Sequence, residues 1–254
     1  FVLAPWNDGG VTREKAFGAI EAQVRHEGAR ESGDADLVGV DLVGNRWLLL
    51  DGTEASLREV AQPEFKEIVS RSIAWDKIKP PADRGGEPTR VETSALRDKF
   101  KRQWLRTPGR KLTGWARIDD GSKPSRARTY LVGTRIAGFP LLQLQCANTE
   151  EPSSCLMVRQ CYLEGASDID AGSIAGIGYS AKKRRIYIGD AAKKQIHVFH
   201  FDSCFHSQRV ERLVLPDKLK LLTNVHIDAK DRLWVTAADR DDYLNASVYY
   251  WTAP

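Results

Sequence analysis

An all-β fold of the propeller type is what this chain predicts, and two observations in its last third carry that prediction. Residues 176–202 (GIGYSAKKRRIYIGDAAKKQIHVFHFD) and residues 224–251 (NVHIDAKDRLWVTAADRDDYLNASVYYW) follow one order: apolar run, charged turn, apolar run, polar turn, third apolar strand. Aligning Ile186 with Leu233 sets the copies 47 residues apart, within the roughly 40–50-residue period of propeller blades. Such blades are small sheets arranged around a central channel. Six of about 40 residues need about 240, which the 254 residues accommodate. The expectation is one all-β propeller domain over residues 1–254, six-bladed, with a short helical insertion in the middle third.

The elements follow in order. Asp8-Gly9-Gly10 marks a turn, and from Thr12 to Arg30 the residues Ala16, Phe17, Ile20 and Val24 stand at helical spacing, with Thr12 as a cap. Residues 37–50 (LVGVDLVGNRWLLL) read as a hairpin turning at Gly44-Asn45. Asp51-Gly52 makes the next turn and Ser56 to Val60 a third strand, a looser copy of the repeat. Residues 61–128 break the rhythm with Pro80-Pro81 and Gly85-Gly86. Within them Ser94 to Leu105 (SALRDKFKRQWL) reads as an amphipathic helix, with Leu96, Phe100 and Trp104 on one side and Lys99, Lys101 and Arg102 around the other. Strands resume over Ala127–Cys146 and Leu156–Leu163.

Charge is unevenly spread. Residues 1–70 carry a net −6, residues 71–128 a net +9 and residues 129–254 a net +1. The basic middle third is a solvated face or a site for a polyanion such as nucleic acid, sulfated glycan or phospholipid headgroups. Binding candidates there are Lys99, Lys101, Arg102 and Trp104. Nucleic acid is disfavoured, because aromatics within a basic amphipathic helix pack inward more often than they stack bases. No window approaches 18 uninterrupted apolar residues, so no membrane-spanning helix is expected.

Cys146, Cys155, Cys161 and Cys204 lack the close pairs of common zinc sites and read as two disulfides in an oxidising compartment, with three pairings open. The sequon Asn245-Ala246-Ser247 fits a secreted glycoprotein. No nucleophile elbow, P-loop or dinucleotide fingerprint occurs.

The last third resembles the regucalcin and gluconolactonase-like six-bladed propellers, whose relatives include strictosidine synthase-like and NHL-repeat propellers. The residues that carry the resemblance are Gly176-Ile177-Gly178-Tyr179-Ser180, Arg185-Ile186-Tyr187-Ile188-Gly189-Asp190, Ile196 to Asp202, and Val225 to Val235. It is strongest over residues 174–251, and Leu37 to Asp51 is a looser match. The resemblance implies a divalent cation, calcium or another, at the channel mouth, activating water against a lactone or ester. It also implies that the cation is held from the starts of inner strands. The Asn slot of the family falls on Ala175 and the Asp slot on Thr223, with Asn224 as a shifted substitute; the Glu slot falls loosely on Asp36. His226, expected at the start of an inner strand, completes a candidate metal set of Asp36, Asn224 and His226. With the ligands degenerate, the resemblance implies the fold more than the chemistry.

Other residues have structural readings. Asp51 and Asp190 are expected to accept hydrogen bonds from turn backbone. His197 and His200, three apart on a strand, face opposite sides and cannot share a metal. The function expected is that of a secreted or extracytoplasmic, non-catalytic binding propeller without a cofactor, recognising a small molecule, glycan or protein at its channel mouth or basic face. Metal-dependent lactone or ester hydrolysis is the alternative.

Overall fold

The computed structural model of the protein describes residues 2–7, 10–11, 14–15, 37–43, 46–61, 67–74, 77–80, 90–118, 127–147, 155–204, 206–215, 221–239 and 242–252. Among them the chain opens with β1 (Val2–Asn7), β2 (Gly10–Val11) and β3 (Glu14–Lys15). β3 pairs with β1 through Val2↔Lys15, in a place where the spacing predicts a helix. Backbone pairing with a neighbouring strand overrides local apolar periodicity there; the remainder of that expected helix lies outside the described residues.

Four sheets follow. The first blade is β4 (Leu37–Val43), β5 (Arg46–Asp51), β6 (Ser56–Ala61) and β7 (Glu67–Ser72). After it comes a single long helix, α1 (Arg90–Arg106). The second blade is β8 (Leu112–Arg117), β9 (Ala127–Thr134), β10 (Leu141–Ala147) and β11 (Cys155–Gln160). The third is β12 (Ile174–Ser180), β13 (Arg185–Asp190), β14 (Gln195–Ser203) and β15 (His206–Val214). The fourth is β16 (Leu221–Ile227), β17 (Arg232–Asp239) and β18 (Asp242–Thr252), extended by β1, which runs parallel to β18 with Val2 opposite Ser247. Every other neighbour within these blades is antiparallel and consecutive in sequence. The fold is an all-β propeller with one α-helix among the described residues.

The repeat read from the sequence is the repeat of the structure. Strand starts Ile174, Arg185 and Gln195 recur at Leu221, Arg232 and Asp242, 47 residues later in each case. Inner strands begin at Leu37, Leu112, Ile174 and Leu221, intervals of 75, 62 and 47 residues. The described residues therefore hold four blades where the length suggests six, because the helix and the connections around it take up chain. The irregular segment 61–128 supplies the outer strand of the first blade, the inner strand of the second, and the helix between them.

Side chains alternate between the two faces of β12 and β13, and both faces of these strands are buried. In β13, Ile186 and Ile188 join Leu131, Leu141 and Phe199 in a core between the second and third blades. Tyr187, between them in sequence, joins Val198, Val225, Leu233 and Val235 in the core between the third and fourth. Period-two alternation with both faces covered explains the near-continuous apolar runs of these strands. A third core, between the first and second blades, holds Leu48, Leu50, Trp115, Tyr130 and Val132, and takes in Phe100 from α1.

Turn chemistry repeats as well. Asp51 accepts from the backbone N–H groups of Thr53 and Glu54 at 2.9 and 2.8 Å, and Asp190 from that of Lys193 at 3.1 Å. Thr134 fills the corresponding place in the second blade, accepting from Ile136 N at 3.1 Å. Four residues after each, the turn closes in the left-handed region, at Ala55 (φ 54°), Gly138 (79°) and Lys194 (51°).

Two disulfides settle the pairing left open by the sequence. Cys146–Cys155 links β10 to β11 within the second blade, and Cys161–Cys204 ties the end of that blade to the β14–β15 turn of the third.

Candidate functional site

Each inner strand carries the same irregularity near its start. The register against its neighbour shifts between Leu37 and Gly39, Leu112 and Gly114, Ile174 and Gly176, and Leu222 and Asn224. The extra residues are Val38, Thr113, Ala175 and Thr223, and a bulge of this kind bends and twists its strand. Glycine follows the bulge in three blades, and at two of them a neighbouring element lies close. A Cβ on Gly176 would meet Val225 N at 2.7 Å, and one on Gly39 would meet the Trp115 ring at 2.5 Å. Asn224 takes the glycine place in the fourth blade.

Ala175 and Thr223, aligned with the metal-ligand slots by resemblance, are thus equivalent positions, and the four described blades place Val, Thr, Ala and Thr there. Hard cations need several converging oxygens. Thr223 Oγ1 is hydrogen-bonded to Thr236 Oγ1 at 2.7 Å, and Asn224 Oδ1 accepts from Val225 N at 2.8 Å. Asp36 lies outside the described residues. Among the described residues no three His, Cys, Asp or Glu side chains converge as a metal site. Among the described residues, the donors at Thr223 and Asn224 do not fit the cation the resemblance implies.

His226 needs a correction of position. It is the second-last residue of β16, not near its start, because the strand begins at Leu221. Asn224 and His226 lie two residues apart, hence on one face, and both line a cavity of about 440 Å3 on the propeller axis. All four inner strands contribute: Val38 to Asp41 from β4, Trp115 and Arg117 from β8, Ile177 and Tyr179 from β12, and Asn224 to Ile227 from β16. Tyr130, on β9, completes the wall.

The first two blades supply a connected polar group. The Tyr130 hydroxyl donates to Asp41 Oδ2, and Arg117 lies 3.9 Å from the same oxygen. Trp115 stacks on Tyr130 at 4.3 Å. Burial, and then the hydrogen bond to Asp41, push the Tyr130 phenol above its ordinary pKa, so it remains a donor. The third and fourth blades supply the Tyr179 hydroxyl and the His226 ring, neither of which has a hydrogen-bond partner among the described residues. Burial raises Tyr179 above the ordinary tyrosine value. His226 is an exposed residue at the cavity wall. Enclosure by the walls nevertheless holds its pKa below the ordinary value, with Asp228 pulling the other way. At neutral pH the cavity thus holds one carboxylate, one guanidinium and a neutral imidazole. Sequence reasoning found Asn224 and His226 but missed Asp41, Trp115, Arg117, Tyr130 and Tyr179; only the alternation of Asp41 with apolar neighbours hinted at one of them.

The basic candidates lie elsewhere. The helix α1 extends past the predicted Ser94–Leu105 at both ends. Phe100 is buried, edge-on to Phe139 at 5.0 Å and 5.7 Å from Trp104. Trp104 is half-buried on that cluster, whereas Lys99, Lys101 and Arg102 are exposed. Trp104 packs inward, apart from the face its cationic neighbours present. His197 is fully buried on Asp190, and His200 is half-exposed beside Asp202.

No family model and no curated protein matches the chain. It is similar to solved structures at low identity. One is a candidate 6-phosphogluconolactonase from Bacteroides uniformis, at 8% identity and TM-score 0.39, covering 80% of this chain and 50% of that one. A second is the Cps50 (Swd1) β-propeller domain of Myceliophteria thermophila, at 8% and 0.36, covering 82% and 65%. A third is a chain of a nidogen/laminin complex, at 16% and 0.37, covering 80% and 58%. The chain spans about half the length of the first of these.

Proposed function

We propose that this chain is an extracytoplasmic binding propeller whose axial cavity takes a small uncharged or zwitterionic ligand and performs no chemistry on it. The observation that carries this reading is the convergence of polar groups from all four inner strands on one cavity of about 440 Å3, a volume within the range of roughly 300–1,000 Å3 typical of small-molecule sites. Asp41 and Arg117 offset each other in charge, so the cavity favours neither anions nor cations. Tyr179 and His226 offer hydrogen bonds that no described protein group takes up, and Trp115 gives the wall an aromatic surface. Two disulfides support an oxidising compartment. The oxygens of Thr223 and Asn224 are already hydrogen-bonded within the fold, which supports a reading without a metal-assisted step.

Calorimetric titration with sets of neutral, zwitterionic and anionic small molecules, with and without calcium, tests the reading. A neutral or zwitterionic ligand is expected to bind, and Tyr179→Phe and His226→Ala are each expected to weaken it about tenfold, the loss of one hydrogen bond at roughly 1.4 kcal/mol. Binding indifferent to both substitutions would place the ligand elsewhere. Calcium-dependent turnover of a lactone or ester, abolished by His226→Ala, would replace the binding reading with the hydrolase.

A further inference from the structure

We infer that the helix α1 and the segment after it form a fixed cationic array that docks a sulfated glycan chain, a surface separate from the axial cavity. Residues 99–111 (KFKRQWLRTPGRK) contain six cations and no acid. Lys99, Arg102 and Arg106 stand at i, i+3 and i+7, one exposed stripe beside the buried Phe100, spanning roughly 10 Å of helix axis. Lys101 flanks the stripe; Asp98, directly before Lys99 and four residues before Arg102, is the nearest acid on the helix. Arg97 is turned inward, its Nε donating to Ile78 O at 3.1 Å, and takes no part.

What separates this array from an ordinary solvated face is the aromatic seat under it. Lys99 Nζ lies 5.8 Å from the centre of the Phe139 ring, and Lys111 Nζ lies 5.5 Å from that of Trp104. Both rings belong to one cluster around Phe100, so two ammonium groups at either side of the array are held over a rigid base. Cation–π contacts of this kind orient the charge without neutralising it, and groups ordered beforehand cost less entropy on binding.

The chemistry of the partner follows from what the array lacks. Phe100 and Trp104 are occupied in packing, so no ring is left to stack bases, which weighs against single-stranded nucleic acid. Exposed apolar side chains on the helix are Val91 and Leu105, 78% and 75% accessible, and they lie roughly 21 Å apart along the axis. Two such isolated residues make no bilayer-inserting face. A flexible chain of sulfates matches a line of cations, and the disulfides place such a partner in the same compartment as the protein.

Retention on immobilised heparin against a salt gradient tests this. Arg102→Glu/Arg106→Glu is compared with the charge-matched Lys182→Glu/Lys230→Glu, which alters exposed lysines on the third and fourth blades. The first pair is expected to weaken heparin affinity at least about tenfold and to flatten its salt dependence, and the second to leave both nearly unchanged. Equal losses for the two pairs would reduce the effect to net charge and overturn the inference. Competition by N- and O-desulfated heparin, by duplex DNA or by phosphatidylserine vesicles as strong as that by heparin would overturn it too. Neither pair touches the axial cavity, so failure here leaves the cavity reading standing.

Discussion

Asp190 and His197 face each other at 3.3 Å inside the third blade, with side-chain accessibilities of 1% and 0%. Burial is the largest influence on the imidazole and lowers its pKa below 6.5; the Asp190 hydrogen bond opposes this and the nearby Arg209 reinforces it. The ring is therefore neutral, donating from Nε2 to the carboxylate while Nδ1 has no partner. Because the unfolded chain takes up the proton first, the contribution of His197 to stability is complete above about pH 6.5 and is lost as the pH falls toward the folded pKa. Thermal unfolding measured from pH 7.5 to 5.0 is expected to show this decline, and His197→Gln to show a flatter one; parallel curves would rule the account out. The turn roles of Asp51 and Asp190 were legible in the sequence because their hydrogen bonds reach only two or three residues along the chain. The place of His226 was not, because a strand's start depends on its register against a neighbour.

The turns and bulges define each blade as an element. Lys194 holds φ at 51° where the equivalent residue of the second blade is Gly138 at 79°. A side chain in that region costs roughly 1–2 kcal/mol, of which glycine's greater freedom in the unfolded chain gives back part. Lys194→Gly is expected to stabilise the protein by about 0.5–1 kcal/mol in urea unfolding with an unchanged slope; a loss would show that the lysine stem makes contacts worth more than the strain. Strand positions were readable because alternation with a period of two spans a single element. The hairpin at residues 37–50, the strands after Ala127 and the inward face of α1 all follow from local pattern. The bulge residues Val38, Thr113, Ala175 and Thr223 have no one residue type common to all four, and only their pairing reveals them as one position.

At the scale of the molecule, the disulfides divide the work of holding blades together. Cys146–Cys155 closes 9 residues within one blade, and Cys161–Cys204 closes 43 across two. By loop entropy the longer link should contribute about 1.4 kcal/mol more. Cys161→Ser/Cys204→Ser is therefore expected to lose more stability in urea than Cys146→Ser/Cys155→Ser, and the reverse order would point to strain or residual structure in the unfolded chain. The two basic and polar surfaces are likewise matters of the whole molecule, one at the axis and one on the helix.

The turn aspartates and the apolar side of the helix were written locally, each in residues within about ten positions of one another, and the 47-residue rhythm came from laying two contiguous stretches side by side. The partner of each cysteine, the number of described blades and the axial cavity were decided by assembly. Asp41, Arg117, Tyr179 and His226 lie as much as 185 residues apart in the chain and meet only where the four inner strands converge on one cavity. That geometry is why the repeat announced a propeller from sequence while the groups that can bind a ligand came into view only with the strands in place.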